Sequence, residues 1–301
     1  MGHVTPNAGT SESIATSITS FITQHNIQLS KIIAIGCDGT NVNTGKHNGV
    51  IKRLEQFVGH KLHWLVCLLH ANELPLRHLF QKIDGKTTGP QQYSGVIGKA
   101  LESCENLAVL EFEPIPTLLP EIDKKDLSSD QKYLLDISHA ISSGEFPTSL
   151  ANRSPGKMAH SRWLTTANRI LQLYVSTNNP SEGLKLLAQF VIKVYAPSWF
   201  EIKQNPKATY GARHLHQMIK KCAFLPPEYK SLVFDVIQRN AYFAHCENVL
   251  LSMLEDQRAH IRELALRRIL KARKLQSSYA IRQFNIPTLN FQAEEYYNLI
   301  S

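Results

Sequence analysis

The chain has 301 residues, 43% hydrophobic and 19% charged; this describes one large or two ordinary folded domains and excludes a disordered chain. It holds no apolar run of about eighteen residues, the length that would span a membrane, and its start, Met1-Gly2-His3-Val4-Thr5-Pro6, has no secretory pattern. The formal charge of +8 is concentrated: between residues 258 and 282, Arg258, Arg262, Arg267, Arg268, Lys271, Arg273, Lys274 and Arg282 stand against one acid, Glu263.

Such a cluster favours a polyanionic partner. Five scattered cysteines, Cys37, Cys67, Cys104, Cys222 and Cys246, predict reduced thiols inside a cell rather than a disulfide framework.

In chain order, Ile14, Ile18, Phe21 and Ile22 recur at helical spacing and predict a helix over 10–28, with Ser11 as its N-cap. Lys31 to Cys37 is a β-branched apolar run ended by Asp38-Gly39, which reads as a fully buried strand. A helix over 49–57, a strand over 62–66 and a helix over 68–83 follow. The alternation predicts parallel strands in an α/β layer. Pro114, Pro116 and Pro120 open a loop-rich stretch with one helix over 131–141. Helices are then predicted over 162–176, 182–194, 208–221, 227–240 and 247–275, with a last one over 293–300. The expected fold is helix-rich α/β, and two strands alone make a poor sheet, since edges and faces lack partners: either further strands lie in the helical half or the sheet is incomplete because the chain begins partway through a domain.

Four constellations carry chemical interest. Asp38 ends the first strand, where open α/β folds place metal ligands and bases; the competing role is a turn whose carboxylate bonds local amides. Gly39, Gly45 and Lys46 approximate a phosphate-binding loop, but the spacing is one residue too long and His47 replaces the needed hydroxyl. Cys67 and His70, with His60 and His63 nearby, offer zinc-type ligands, yet one continuous strand–helix segment does not readily wrap a tetrahedral ion. A buried Cys67 and a hydrogen-bonded His70 in structural roles are expected instead. Ser161-Arg162-Trp163 opens a helix: Arg162 and Trp163 would grip a phosphate and stack on a base if exposed, and Trp163 would be a core residue if not.

Together these residues resemble the hAT superfamily of cut-and-paste DNA transposases. The resemblance rests on Asp38 with Asn41 or Asn43 and Gly45 or Gly49 after a strand, then Cys67-Leu68-Leu69-His70-Ala71-Asn72-Glu73-Leu74, then Ser161-Arg162-Trp163-Leu164-Thr165-Thr166. It covers about residues 32–173. It implies a ribonuclease H-like fold with a large all-α insertion, divided here as 1–83 (partial α/β core), 84–245 (helical insertion) and 246–301 (basic helical segment). It also implies three acids holding two divalent metals. Asp38 would be the second acid and metal ligand; for the third, Glu247, Glu255 and Glu263 are available, with Glu247 carried forward. Nothing before Thr10 forms the strand that should bear the first. The chain is therefore expected to be a truncated, decayed or domesticated relative, catalytically inactive as given, needing no cofactor, and using Mg²⁺ or Mn²⁺ only if the site were complete. DNA is the expected partner, held by Arg162, Trp163, Arg267, Arg268 and Lys271, with no membrane, a nuclear location and self-association left open. The alternatives are a metal-dependent nuclease completed by another chain and a helical protein-interaction scaffold.

Overall fold

The computed structural model describes residues 2–87, 93–156, 163–206, 210–244, 250, 251, 253, 254 and 256–275. The chain divides into two compact units, 1–67 with 242–301, and 68–241. This differs from three consecutive segments because the basic C-terminal helix packs within the same unit as the strands. No described helix is long and apolar enough to cross a membrane.

In the first unit, α1 spans Ser11–Gln24. Its N-cap is Thr10, not Ser11: Thr10 keeps an extended backbone and its Oγ1 accepts from Ser13 N at 3.2 Å. A 3₁₀ turn at Leu29–Lys31 delays the first strand, so β1 covers only Ala34–Cys37. The short helix α2 (Asn41–Thr44) and α3 (Val50–Val58) follow. Gly59 ends α3 at φ +79°, a left-handed cap that a side chain would strain. β2, His63–Val66, pairs parallel with β1 in the expected order, Ala34 opposite His63 and Cys37 opposite Val66.

The strands are not fully buried. Ala15, Val50, Leu54 and Leu62 form the core of this α/β layer, with Ile32, just ahead of β1, and Ile35 of β1 packed against it. Ala34 and Gly36, which alternate with Ile35 along β1, are exposed, and Leu65 keeps 43% of its surface. The expected 247–275 helix is interrupted: a new helix, α13, runs Ala259–Leu275. Its Ile261, Ala265 and Ile269 are buried, as the 3.6-residue period predicts, and Leu266 joins them. Ala265, Leu266 and Ile269 form a second core with Leu254.

The regular structure of the second unit, among its described residues, is helices joined by loops and one isolated bridge between Thr87 and Tyr93. It comprises α4 (Leu68–Asp84), α5 (Val96–Ala100), α6 (Ser129–Ser143), α7 (Thr148–Ala151), α8 (Trp163–Val175), α9 (Glu182–Phe190), α10 (Ala196–Gln204), α11 (Gly211–Lys221) and all but the last turn of α12 (Pro227–Ala244). α6 starts with a reciprocal cap between Ser128 and Gln131 and ends at Gly144 in the left-handed region. α9 does not stop near residue 194; it passes through a π turn at Val191–Tyr195 straight into α10. Every residue of α8 is buried, which makes it the central helix. The proline-rich stretch is extended and tied to that centre: Leu110 N donates to Val175 O at 2.8 Å and Tyr174 Oη to Glu113 O at 2.7 Å.

The predicted 293–300 helix lies outside the described residues.

Candidate carboxylate site and candidate nucleic-acid interface

β1 delivers Asp38 to the carboxyl end of the parallel pair, where the sequence places it. There its Oδ1 accepts three hydrogen bonds: from Thr40 N at 3.0 Å, Thr40 Oγ1 at 2.6 Å and Asn43 Nδ2 at 2.8 Å. This is an Asx-type turn that shapes the chain leaving the strand and starts α2. The neighbouring thiol, Cys37, has its pKa raised by burial first, and then by the negative charges of Asp38 and Cys67, which disfavours the thiolate.

A two-metal centre needs several carboxylates converging on ions about 4 Å apart. Among the described residues no three His, Cys, Asp or Glu side chains gather in a way that would hold a metal. Asp38 Oδ1 is engaged with its own turn, and Glu263 lies on α13 paired with Arg267. The described residues do not fit the pair of metals that the transposase resemblance implies. Glu247 and Glu255 lie outside them.

The zinc-type residues separate as well. Cys67 is exposed rather than buried. His70 faces Glu73 of its own helix at 3.7 Å. Both ring nitrogens of His60 lie at backbone carbonyls, Val58 O at 3.1 Å and Ile32 O at 2.8 Å. His63 Nε2 lies 3.0 Å from Asp256 Oδ2.

Trp163 opens α8 as a core aromatic, 7% exposed, with its ring edge-on to Phe80 at 5.8 Å. A base has no access to that ring, so the stacking role expected of Trp163 is withdrawn. Arg162 lies outside the described residues.

The basic segment fares differently along its length. Arg258 binds the Asp256 carboxylate, and Arg262 Nη1 donates to the carbonyls of Asp256 and Gln257, both at 2.8 Å. Arg267, Arg268, Lys271 and Lys274 are exposed on α13. Arg267 pairs with Glu263 one turn earlier, a surface contact of small energetic weight. No described acid lies within ion-pair distance of Arg268, Lys271 or Lys274. The side chain of Arg273 lies outside the described residues.

Two groups that sequence reasoning passed over are better held than any candidate it named. Arg169, in the middle of α8 and 3% exposed, donates to Gly156 O at 2.9 Å, Leu101 O at 2.6 Å and Glu105 Oε2 at 2.5 Å. A lone charged residue among the apolar positions Leu164, Ala167, Ile170, Leu171, Leu173 and Tyr174 was the available signal. The other is Asp256, whose carboxylate would be raised by burial, but hydrogen bonds from Arg258 and then His63 outweigh this and hold its pKa well below the usual range. Its signal was an acid just ahead of a cationic helix.

No family model matches the chain, and no curated protein or solved structure does either.

Proposed function

We propose that this protein is derived from a DNA transposase of the hAT type and binds duplex nucleic acid without cutting it. The observation that carries the binding half is α13, where Arg267, Arg268, Lys271 and Lys274 stand exposed outside the buried stripe of Ile261, Ala265 and Ile269. Guanidinium and ammonium groups on one rigid helix neutralise phosphates without reading bases. The parallel β1–β2 pair with Asp38 at its carboxyl end supports the ribonuclease H-like lineage. The engagement of Asp38 within its own turn supports the non-catalytic half. A nuclear location belongs to the same proposal.

Two measurements test it. Reversing Arg267, Arg268 and Lys271 to Glu is expected to weaken binding to unrelated duplexes alike and to flatten its salt dependence. Binding equal to the parent at low salt removes α13 as the contact surface. With Mg²⁺ or Mn²⁺, strand cleavage is expected to be no faster than in the Asp38→Ala variant; metal-dependent cleavage abolished by that substitution overturns the non-catalytic half.

A further inference from the structure

We infer that Asp256 is the positioning residue of the cationic helix, setting the direction of α13 and hence the reach of Arg267, Arg268, Lys271 and Lys274; this rests on the reading of α13 as the duplex-binding surface. Asp256 lies three residues ahead of the helix. Toward α13, Oδ1 accepts from Arg258 N and Arg258 Nε, both at 2.9 Å, and Oδ2 from Arg258 Nη2 at 2.9 Å. The first of these bonds closes the turn from which the helix starts. Toward the sheet, Oδ2 accepts from His63 Nε2 at 3.0 Å, and His63 is the first residue of β2. The ring nitrogen is the donor because a carboxylate only accepts. Both side chains are buried. Arg258 Nη1 carries the connection on to Ser30 O at 3.0 Å, in the turn before β1.

One carboxylate thus joins Arg258, the residue directly ahead of α13, to the start of β2 and, through Arg258, to the approach to β1. A 17-residue helix is a lever about 25 Å long, so a tilt of about 10° at its start displaces the far end by about 4 Å. That is enough to take a guanidinium out of hydrogen-bond range of a phosphate. Arg258 and Arg262, counted among the basic cluster by sequence, serve in this anchor.

Charge alone predicts the opposite effect of removing the carboxylate. Asp256→Asn deletes a negative charge and frees Arg258, which by electrostatics tightens DNA binding. Positioning predicts weaker binding, and the sign separates the two. The experiment titrates the full chain, Asp256→Asn and His63→Leu with a mixed-sequence duplex across a range of salt. Both variants are expected to bind about eightfold more weakly at 0.1 M salt, with a slope smaller by about 0.9, the loss of one phosphate contact, and unchanged saturating amplitude. His63→Leu removes the tie to the sheet while keeping an apolar side chain at a buried site, and it leaves the carboxylate in place. Equal or tighter binding by both variants overturns the inference. So does a fall in amplitude with affinity and slope unchanged, which marks partial unfolding and a merely structural role. If the parent itself shows no salt-dependent binding, the reading of α13 as the contact surface has failed instead.

Discussion

In the second unit a buried cation, Arg169, is held by several partners, and in the first a half-buried anion, Asp256; their partners differ in kind. Arg169 is held largely by main-chain carbonyls at Leu101 and Gly156, so it staples irregular chain to the central helix α8. Asp256 is held by the side chains of His63 and Arg258 and by one amide of its own turn, so it fixes where a helix begins. The surroundings explain the contrast. Helices satisfy their own backbone, and the Arg169 contacts of the second unit fall where irregular chain crosses its apolar core. In the first unit the two-stranded sheet leaves Ala34, Gly36 and Leu65 exposed, and a polar tie between β2 and the start of α13 supplements the apolar packing.

The largest expected effect probes the cation. Arg169→Met should destabilise the second unit by about 3 kcal/mol, because carbonyls of Leu101 and Gly156 and the Glu105 carboxylate lose their donor. Denaturant unfolding with hydrogen exchange in α6 and α8 measures it. A change below about 0.5 kcal/mol would reduce Arg169 to a passenger in the core.

The anion is expected to weigh somewhat less and to respond to pH. Asp256→Asn should cost about 2 kcal/mol at neutral pH, through hydrogen bonds to a charged group. The folded-state pKa is depressed, so the contribution is complete above the ordinary Asp range near 4. It is lost as pH falls from there toward the lower folded value. Acid titration of the parent should therefore show a loss of stability below about pH 4 that is reduced in the Asn variant. Identical acid profiles would remove Asp256 from the account of the first unit.

The smallest effect tests whether local signals also matter in the first unit. Thr10→Ala deletes the N-cap of α1 and should cost about 1 kcal/mol in thermal or denaturant unfolding, whereas Ser11→Ala should cost much less. The reverse order would return the cap to Ser11.

Periodicity made most of the helices and the order of the parallel pair legible, because those patterns are local. Burial of β1 was not legible: Ile35 and Gly36 are both apolar letters, and which is covered depends on the neighbours that the sheet has or lacks. The break before α13 was hidden by apolar spacing that continues through it, and the turn at Asp256 interrupts the helix nonetheless. Trp163 could face either way on sequence alone, and contact with Phe80 decides. In the candidate interface the excess of cations was countable, but not its partition between anchors, Arg258 and Arg262, and exposed groups. That partition depends on a carboxylate meeting a histidine 193 residues away in the chain.

The central claim is that duplex DNA is held by α13 of the first unit and not by the buried Trp163 region of the second. Cross-linking an aldehyde-bearing duplex to lysines, followed by peptide mapping, tests it most directly. The predicted result is attachment at Lys271 and Lys274 that disappears with rising salt. Attachment concentrated on lysines of residues 68–241, with Lys271 and Lys274 unmodified, would contradict it.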